Sequence, residues 1–468
     1  MIILAKKPFL IGFILVLKIF FPFFLYSQNT DKITLLQALD LAEKNYPSIK
    51  AKEAAQQASG YHLRSVKDEY IPDFLIQDQD LFATANTVTG AYFSNEGLAI
   101  PVSGTLKNYS DQAVWNSFAT LMVDWKFFNF GKIKADVRVA QNELKEHMYD
   151  YENEVFQLKI KVADTYLFLI ALEQLELVQE QNLAREKSFY QMTKAYSQSG
   201  IKAGVDSSVA RAELSKAYLL LFKSRKNVDV QKFNLMSFMG RNTDFTVDTS
   251  IFFSKIPPLI FPDTIDLPNN PLLKLYSNNI DLYQSQAKVI KLSYLPSLHL
   301  LGAGWARGSG VKDVNNNTVL YPSLTEGIPF EAYNYMVGVS FIWNLSSAPR
   351  IYSEYHSESL LAKAAQYNYS KVYIESKDEL NQANLEIKNA MDEIKESPIQ
   401  YRAALDAYNQ SKSRYDAGLS TFYEITQALY VLNRAEADQL AAYNNLWRAF
   451  LKQAAAIGDL NIFTSQVK

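Results

Sequence analysis

The chain of 468 residues contains no cysteine. That absence excludes thiol nucleophiles, thiolate metal sites, disulfides and a lipid-modified N-terminal cysteine at once. Histidine is scarce as well: His62, His147, His299 and His356 stand far apart, with no HExxH or other ligand spacing, so no metal site is expected. The net charge is only −2 and no run of lysines and arginines marks a phosphate-binding face, which sets nucleic acid aside as a partner. No motif groups a nucleophile with a base and an orienting residue, and none forms a nucleotide cradle. The chain is therefore expected to be no enzyme, to carry no cofactor, and to rely on another protein for energy.

Long apolar runs are missing too, with one exception. Lys6 and Lys7 precede an apolar run from Phe9 to Tyr26, divided by Lys18 and followed by the polar stretch Gln28 to Lys32. This is the layout of an export signal cleaved near Ser27, making residues 1–27 a signal peptide. An uncleaved anchor is the alternative, because a run of about 18 residues can span a bilayer.

What is present is a duplication. Gly200, Ala210, Leu214 and Ala217 recur as Gly418, Ala428, Leu432 and Ala435, each 218 positions later. A helix-breaking glycine followed by small and apolar residues on one helical face describes a hairpin tip leading into a packed return helix. The pairs Met239-Gly240 and Ile457-Gly458 repeat at the same offset, and Tyr70-Ile71-Pro72 recurs as Tyr294-Leu295-Pro296 at an offset of 224. Residues 28–240 and 269–458 are thus two structural repeats, joined by the proline-rich linker 241–268 and followed by the tail 459–468.

Within each repeat the hydrophobic period changes. Tyr333, Tyr335, Val337, Val339, Phe341, Trp343 and Leu345 alternate with polar or small residues, as do Trp115, Ala119, Leu121, Val123, Trp125 and Phe127. Strands with one apolar and one polar face, long enough to cross a bilayer, fit membrane hairpins over 72–127 and 296–345. Asp73, Asp78 and Asp80 interrupt the first strand, so either its apolar portion is short or the carboxylates face a watery lumen. The loops 86–111 and 307–332 read as exposed connections.

The segments 131–200 and 349–415 carry apolar residues stepping by three and four, the signature of coiled-coil packing, over a helical length of about 100 Å. In each half two shorter helices, 35–70 with 204–240 and 271–294 with 419–457, add up to the length of the long one. Pairing them end to end gives long antiparallel helical hairpins below the strands. An open four-stranded sheet cannot sit in lipid with unpaired edges. The strands must close with further copies of the chain: two copies give eight strands, three give twelve and four give sixteen.

Tandem halves, two Tyr-x-Pro hairpin starts, the strand-end Trp125 and Trp343 and the tip glycines Gly200 and Gly418, in this order and spacing, resemble the TolC family of outer-membrane efflux ducts over the whole mature length. The fold class is therefore mainly α with a small membrane β part. The resemblance implies a homotrimer with a twelve-stranded β-barrel in outer-membrane lipid, a periplasmic tunnel of twelve helices, and an equatorial belt from parts of 241–268 and the C-terminus. It implies a passive exit duct of a tripartite efflux or type I secretion system, opened by a periplasmic adaptor and energised by an inner-membrane pump. Gly200, Ile201, Lys202, Gly418, Leu419 and Ser420 match the adaptor-docking tips. Tyr415 and Asp206 match the family's gate pair, while Glu424 and Gln427 fall at its acidic constriction, the second without the carboxylate. Trp115, Trp125 and Trp343 read as membrane-interface aromatics. An anchored periplasmic coiled-coil scaffold or sensor is the rival expectation.

Overall fold

A computed structural model describes residues 31–84, 86, 110–249, 251–253, 255–258, 269–315 and 317–467. The expected signal peptide, most of the loop 86–111 and part of the linker lie outside them. The first helical stretch is two helices, α1 (Leu35–Asn45) and α2 (Pro47–Asp68). Thr34 and Gln37 form a capping box on α1, and Pro47 opens α2 at a position where its missing N–H costs nothing. Strand β2 (Asp73–Thr84) leads up and β3 (Ala113–Phe128) leads back into α3 (Lys132–Gln198), whose 67 residues extend about 100 Å. The return helix is α4 (Gly204–Met239).

The second half repeats the plan. Helix α5 (Pro271–Ser293) leads into β5 (Ser297–Ser309), and β8 (Ala332–Ile342) leads into α7 (Ala348–Asp416) and α8 (Phe422–Ile457). Between β5 and β8 the expected open loop is structured instead. It holds a small hairpin of β6 (Val311–Val314) and β7 (Asn317–Leu320), then a single helical turn α6 (Leu324–Gly327). Lys312 bonds both Glu326 and Glu331, at 2.7 and 2.6 Å, and the Gly310 amide donates to the Trp115 carbonyl, so this segment folds back onto β3.

The four long strands form one antiparallel sheet in the order β2-β3-β5-β8. Its register puts Phe74, Ile76, Leu121, Val123, Leu300, Val337, Val339 and Phe341 on one face. The other carries Gln77, Thr120, Asp124, His299 and Ser340, where His299 bonds Asp124 at 2.8 Å. Asp73 belongs to this polar face. Asp78 and Asp80, however, pair with Ala119 and Ser117 and share the apolar face with Phe74 and Ile76. The apolar portion of β2 is therefore short, and its last two aspartates do not turn to a lumen.

Strand order and helix order agree. Helix α3 packs against α2 and α4 on one side and against α5 and α8 on the other, and these in turn pack on α7. Each strand thus continues into a helix at the same lateral position, in a single layer from β2 with α2 and α4 to β8 with α7. Both lateral edges carry large exposed apolar side chains: Leu219, Phe222 and Phe233 on α4, and Leu360, Tyr367 and Ile374 on α7.

Midway along the helices lies the main core. Strand β1 (Asp31–Ile33) pairs in parallel with β4 (Phe245–Val247), so the linker comes back onto the start of the chain. The buried Tyr166 hydroxyl donates to the Ile33 carbonyl and accepts from the Asp248 amide. Trp447 donates to the Phe252 carbonyl at 3.0 Å and packs edge-on against Phe252 and Phe463. Phe463, on the C-terminal turn α9 (Asn461–Thr464), is fully buried. The C-terminus thus joins the linker in a belt around this level.

Candidate functional site at the helical tips

Each helical hairpin reverses through a glycine in left-handed conformation, Gly200 at φ 71° and Gly418 at φ 73°. The amides of Ile201 and Leu419 each donate to the carbonyl five residues back, on Tyr196 and Arg414, and Gly200 and Gly418 bond Ser197 and Tyr415. These are two Schellman turns of the same form, which satisfy the last carbonyls of α3 and α7. The turns push Ile201 and Leu419 into solvent, 66% and 71% exposed. In the first turn of the return helices Val205 and Tyr423 are also exposed. This second pair was not picked out from the sequence, although the 218-residue offset relates the two positions. Ser420 behaves differently: it is buried and its hydroxyl donates to the Ser411 carbonyl at 3.4 Å. The tip therefore offers an apolar surface, with Lys202 beside it.

Behind the surface, Phe189, Tyr415 and Ile425 form a small core with Tyr408 and Phe422 around it. The Tyr415 ring lies 5.5 Å from Phe189, and the Lys202 ammonium sits 4.9 Å from its centroid, a cation–π contact that ties one tip to the other. Among the described residues, the buried Tyr415 hydroxyl has no hydrogen-bond partner. Burial first, then the Asp206, Tyr196 and Asp416 side chains, push its pKa up to about 12. Tyr415 and Asp206 are thus brought near each other without bonding. Glu424 reaches back to the Thr421 amide and hydroxyl, completing a capping box on α8, and Gln427 stands one turn further along.

Gln427 lines a cavity of about 310 Å³ between α3, α4 and α8, with Glu186, Glu213, Lys216 and Tyr430. Glu186 is 7% exposed, and burial raises its carboxyl to about 7, with Glu213 adding to the rise and Lys216 and Arg185 opposing it. Its neighbour Arg185 is engaged elsewhere, in a two-pronged bond to Glu436 at 2.9 and 2.6 Å. Taken alone, a glutamate in a long polar helix gives no sign of this burial.

At the other end of the molecule the tryptophans take two kinds of place. Trp125 and Trp343 are exposed at the lower ends of β3 and β8, and their indoles donate to the carbonyls of Tyr70 and Tyr294. Each clamps a strand end to the helix-to-strand turn of its own half. Trp115 lies at the far end of the sheet, packed on Phe82 at 5.3 Å.

The family model described as outer membrane efflux protein matches residues 38–241 and 266–459, one match per half. Among solved structures, the Campylobacter jejuni CmeC outer membrane channel superposes with a TM-score of 0.73 at 17% identity, covering 91% of this chain and 85% of that one. The outer-membrane channel OprN gives 0.72 at 16% identity, with 91% and 89% covered. The outer membrane protein VceC of Vibrio cholerae gives 0.72 at 14% identity, with 91% and 96% covered. A search of curated proteins finds no match by sequence. With both halves matched, the chain belongs to the outer membrane efflux protein family: it is a non-enzymatic efflux channel of the outer membrane.

Proposed function

We propose that three copies of this chain close into a homotrimer, a twelve-stranded barrel above a tunnel of twelve helices. The observation that carries this reading is the single layer of strands and helices left open at both lateral edges. Among the described residues, strands β2 and β8 lack a neighbour on their outer sides, and the same edges continue down α4 and α7 as exposed apolar side chains. Unpaired strand edges in lipid cost several kcal/mol per polar group, so closure with other copies is required. Residues 1–27 are removed on export, and the repeats 28–240 and 269–458 meet through the linker 241–268.

The duct is passive. A periplasmic adaptor docks on the tips through Ile201, Leu419, Gly200, Gly418 and Lys202, while the buried Ser420 is not part of that surface, and an inner-membrane pump supplies the energy. The closed tip is held by the packing of Tyr415 under Lys202 and beside Asp206, with Glu424 and Gln427 narrowing the path. Adaptor binding shifts the population towards an open tip.

Because the chain has no cysteine, Ile201→Cys and Leu419→Cys each create a unique crosslinking handle. Both are expected to crosslink to the adaptor in cells, and the purified protein is expected to run as a heat-modifiable trimer from outer-membrane fractions. A monomer in those fractions overturns the assembly, and loss of neither export nor crosslinking on changing Gly418 overturns the tip as docking site. In the isolated trimer, Glu424→Gln is expected to alter the cation preference of conductance.

A further inference from the structure

Directly below the strand ends, α3 and α5 enclose a cavity of about 620 Å³ lined by Lys134, Arg138 and Lys288 together with Phe130, Val137 and Leu292. We propose that this cavity holds the phosphate headgroup of an anionic phospholipid from the periplasmic leaflet of the outer membrane. The proposal rests on the membrane placement of the strands and adds the lipid chemistry that the helical collar selects.

Depth is the first support. Lys134 and Arg138 lie in the first two turns of α3, and Lys288 and Leu292 in the last turns of α5. At about 1.5 Å per residue these groups fall within roughly 10 Å of the strand ends, at and just below a headgroup layer of about 5–7.5 Å. Orientation is the second. The Phe130 ring packs edge-on against Phe128 at 4.7 Å, and Phe128 is in register with Leu298, which faces Phe341 on the apolar side of the sheet. Phe130 therefore links the cavity to the lipid-facing surface, one turn below the clamps of Trp125 and Trp343.

Charge is the third. Among the described residues, Lys134, Arg138 and Lys288 have no ion pair, whereas Lys132, on the other side of α3, is tied to Asp136 at 2.9 Å. A neighbouring cavity shares Lys288 and Leu292 and adds Lys291, extending the basic surface sideways along α5. On the opposite face, a separate cavity between α2, α3, α5 and α7 is lined by Asp136 and Glu143 of α3, by Glu69 at the end of α2 and by Glu358 of α7. The cavity next to the lipid-facing strands is thus lined by unpaired cations, whereas the one lysine lining the opposite cavity, Lys132, is paired. Helix α3 also begins at Gly131 with no side-chain cap, leaving the positive end of its first turn open at the cavity. A phosphodiester fits the basic floor, and the glycerol and first methylenes of its chains fit against Phe130, Val137 and Leu292.

The test is native mass spectrometry of the delipidated full-length mature protein in detergent, titrated separately with phosphatidylglycerol, phosphatidylethanolamine and inorganic phosphate. The wild type is expected to retain phosphatidylglycerol about tenfold better than phosphatidylethanolamine. The triple variant Lys134→Gln, Arg138→Gln, Lys288→Gln is expected to bind the two lipids equally, and Lys132→Gln, on the opposite face, to keep the preference. If the triple variant does not fold, Arg138→Gln alone is expected to reduce the preference severalfold. An undiminished preference in a folded variant overturns the proposal, as does no preference in the wild type. Displacement of phosphatidylglycerol by equimolar inorganic phosphate also overturns it, by showing a free-anion site. All cavity residues come from one chain, so a monomeric mass would count against the trimeric duct and leave this result readable.

Discussion

The two ends of the return helices use the same backbone device in opposite settings. Gly200 and Gly418 at the tips and Gly240 and Gly458 at the equator all adopt positive φ, the second member of each pair 218 positions after the first. At the tips a side chain on the glycine would meet nothing within 4 Å. At the equator it would come within 2.9 Å of Asn45, or overlap the backbone of Asn270. Those two asparagines donate to the carbonyls of Met239 and Ala456, closing the ends of α4 and α8. The equatorial turns are therefore locked by the surrounding core, whereas each tip turn is held by its own hydrogen bonds and a few aromatic contacts. The opening proposed for the tips uses this division: a fixed belt against which they can rearrange.

The largest expected effects come from testing that division directly. Gly458→Ala combines left-handed strain with a clash against backbone, and is expected to cost about 3 kcal/mol or more. Gly418→Ala meets only the strain, about 1 kcal/mol. Thermal unfolding of the assembled protein checks both, and equal losses at the two sites would erase the distinction between belt and tip.

Between belt and tip, one buried position carries a carboxyl in the first half and none in the second. Glu186 in α3 corresponds, 218 residues on, to Ala404 in α7, which is buried beside Leu432 and Ala435. An acid whose pKa rises on folding binds more protons in the folded state. Its unfavourable charge is absent below the unfolded value of 4.5, and the loss of stability develops as pH rises from there to about 7. The span corresponds to at most about 3 kcal/mol. The wild type is expected to lose stability across this interval, and Glu186→Gln to flatten the loss and melt higher at pH 8. A variant with the wild-type pH profile would show that the carboxyl is already solvated in the assembly.

The repeat was the most legible feature of the sequence, because helices and glycine turns leave their period in the chain. The 218-residue offset located both tips, and the Tyr-x-Pro motifs located both strand entries. The offset of 224 at those entries has a plain origin: Trp125 lies 55 residues after its partner Tyr70, but Trp343 only 49 after Tyr294. The β6–β7 hairpin was not legible because it is short, aperiodic and held by Lys312 to residues further along. The direction of Asp78 and Asp80 depended on register with β3, which the strand's own alternation does not fix. Burial of Glu186 depends on helices α4 and α8, remote in sequence. Its one sequence signal was the alanine at the equivalent position 404.

The smallest expected effect separates the two tips from each other. Helix α8 starts with a complete capping box, in which the Thr421 hydroxyl accepts from the Glu424 amide at 3.4 Å and the Glu424 carboxylate accepts from the Thr421 amide. Helix α4 starts at Ala203, whose side chain cannot cap, and its first turn has only Asp206 to favour the positive end. The first tip should therefore fray more readily. Thr421→Ala is expected to remove about 1 kcal/mol from the start of α8, and Ala203→Thr to add a comparable or smaller amount to α4, with Asp206 placed three residues on to complete the cap. Amide hydrogen exchange of the two first turns reads this locally: exchange should be faster in α4 than in α8 in the wild type, and the two substitutions should bring the rates together from opposite sides. If the turns already exchange alike, the aromatic core under Tyr415 governs both, and the tips open as one unit.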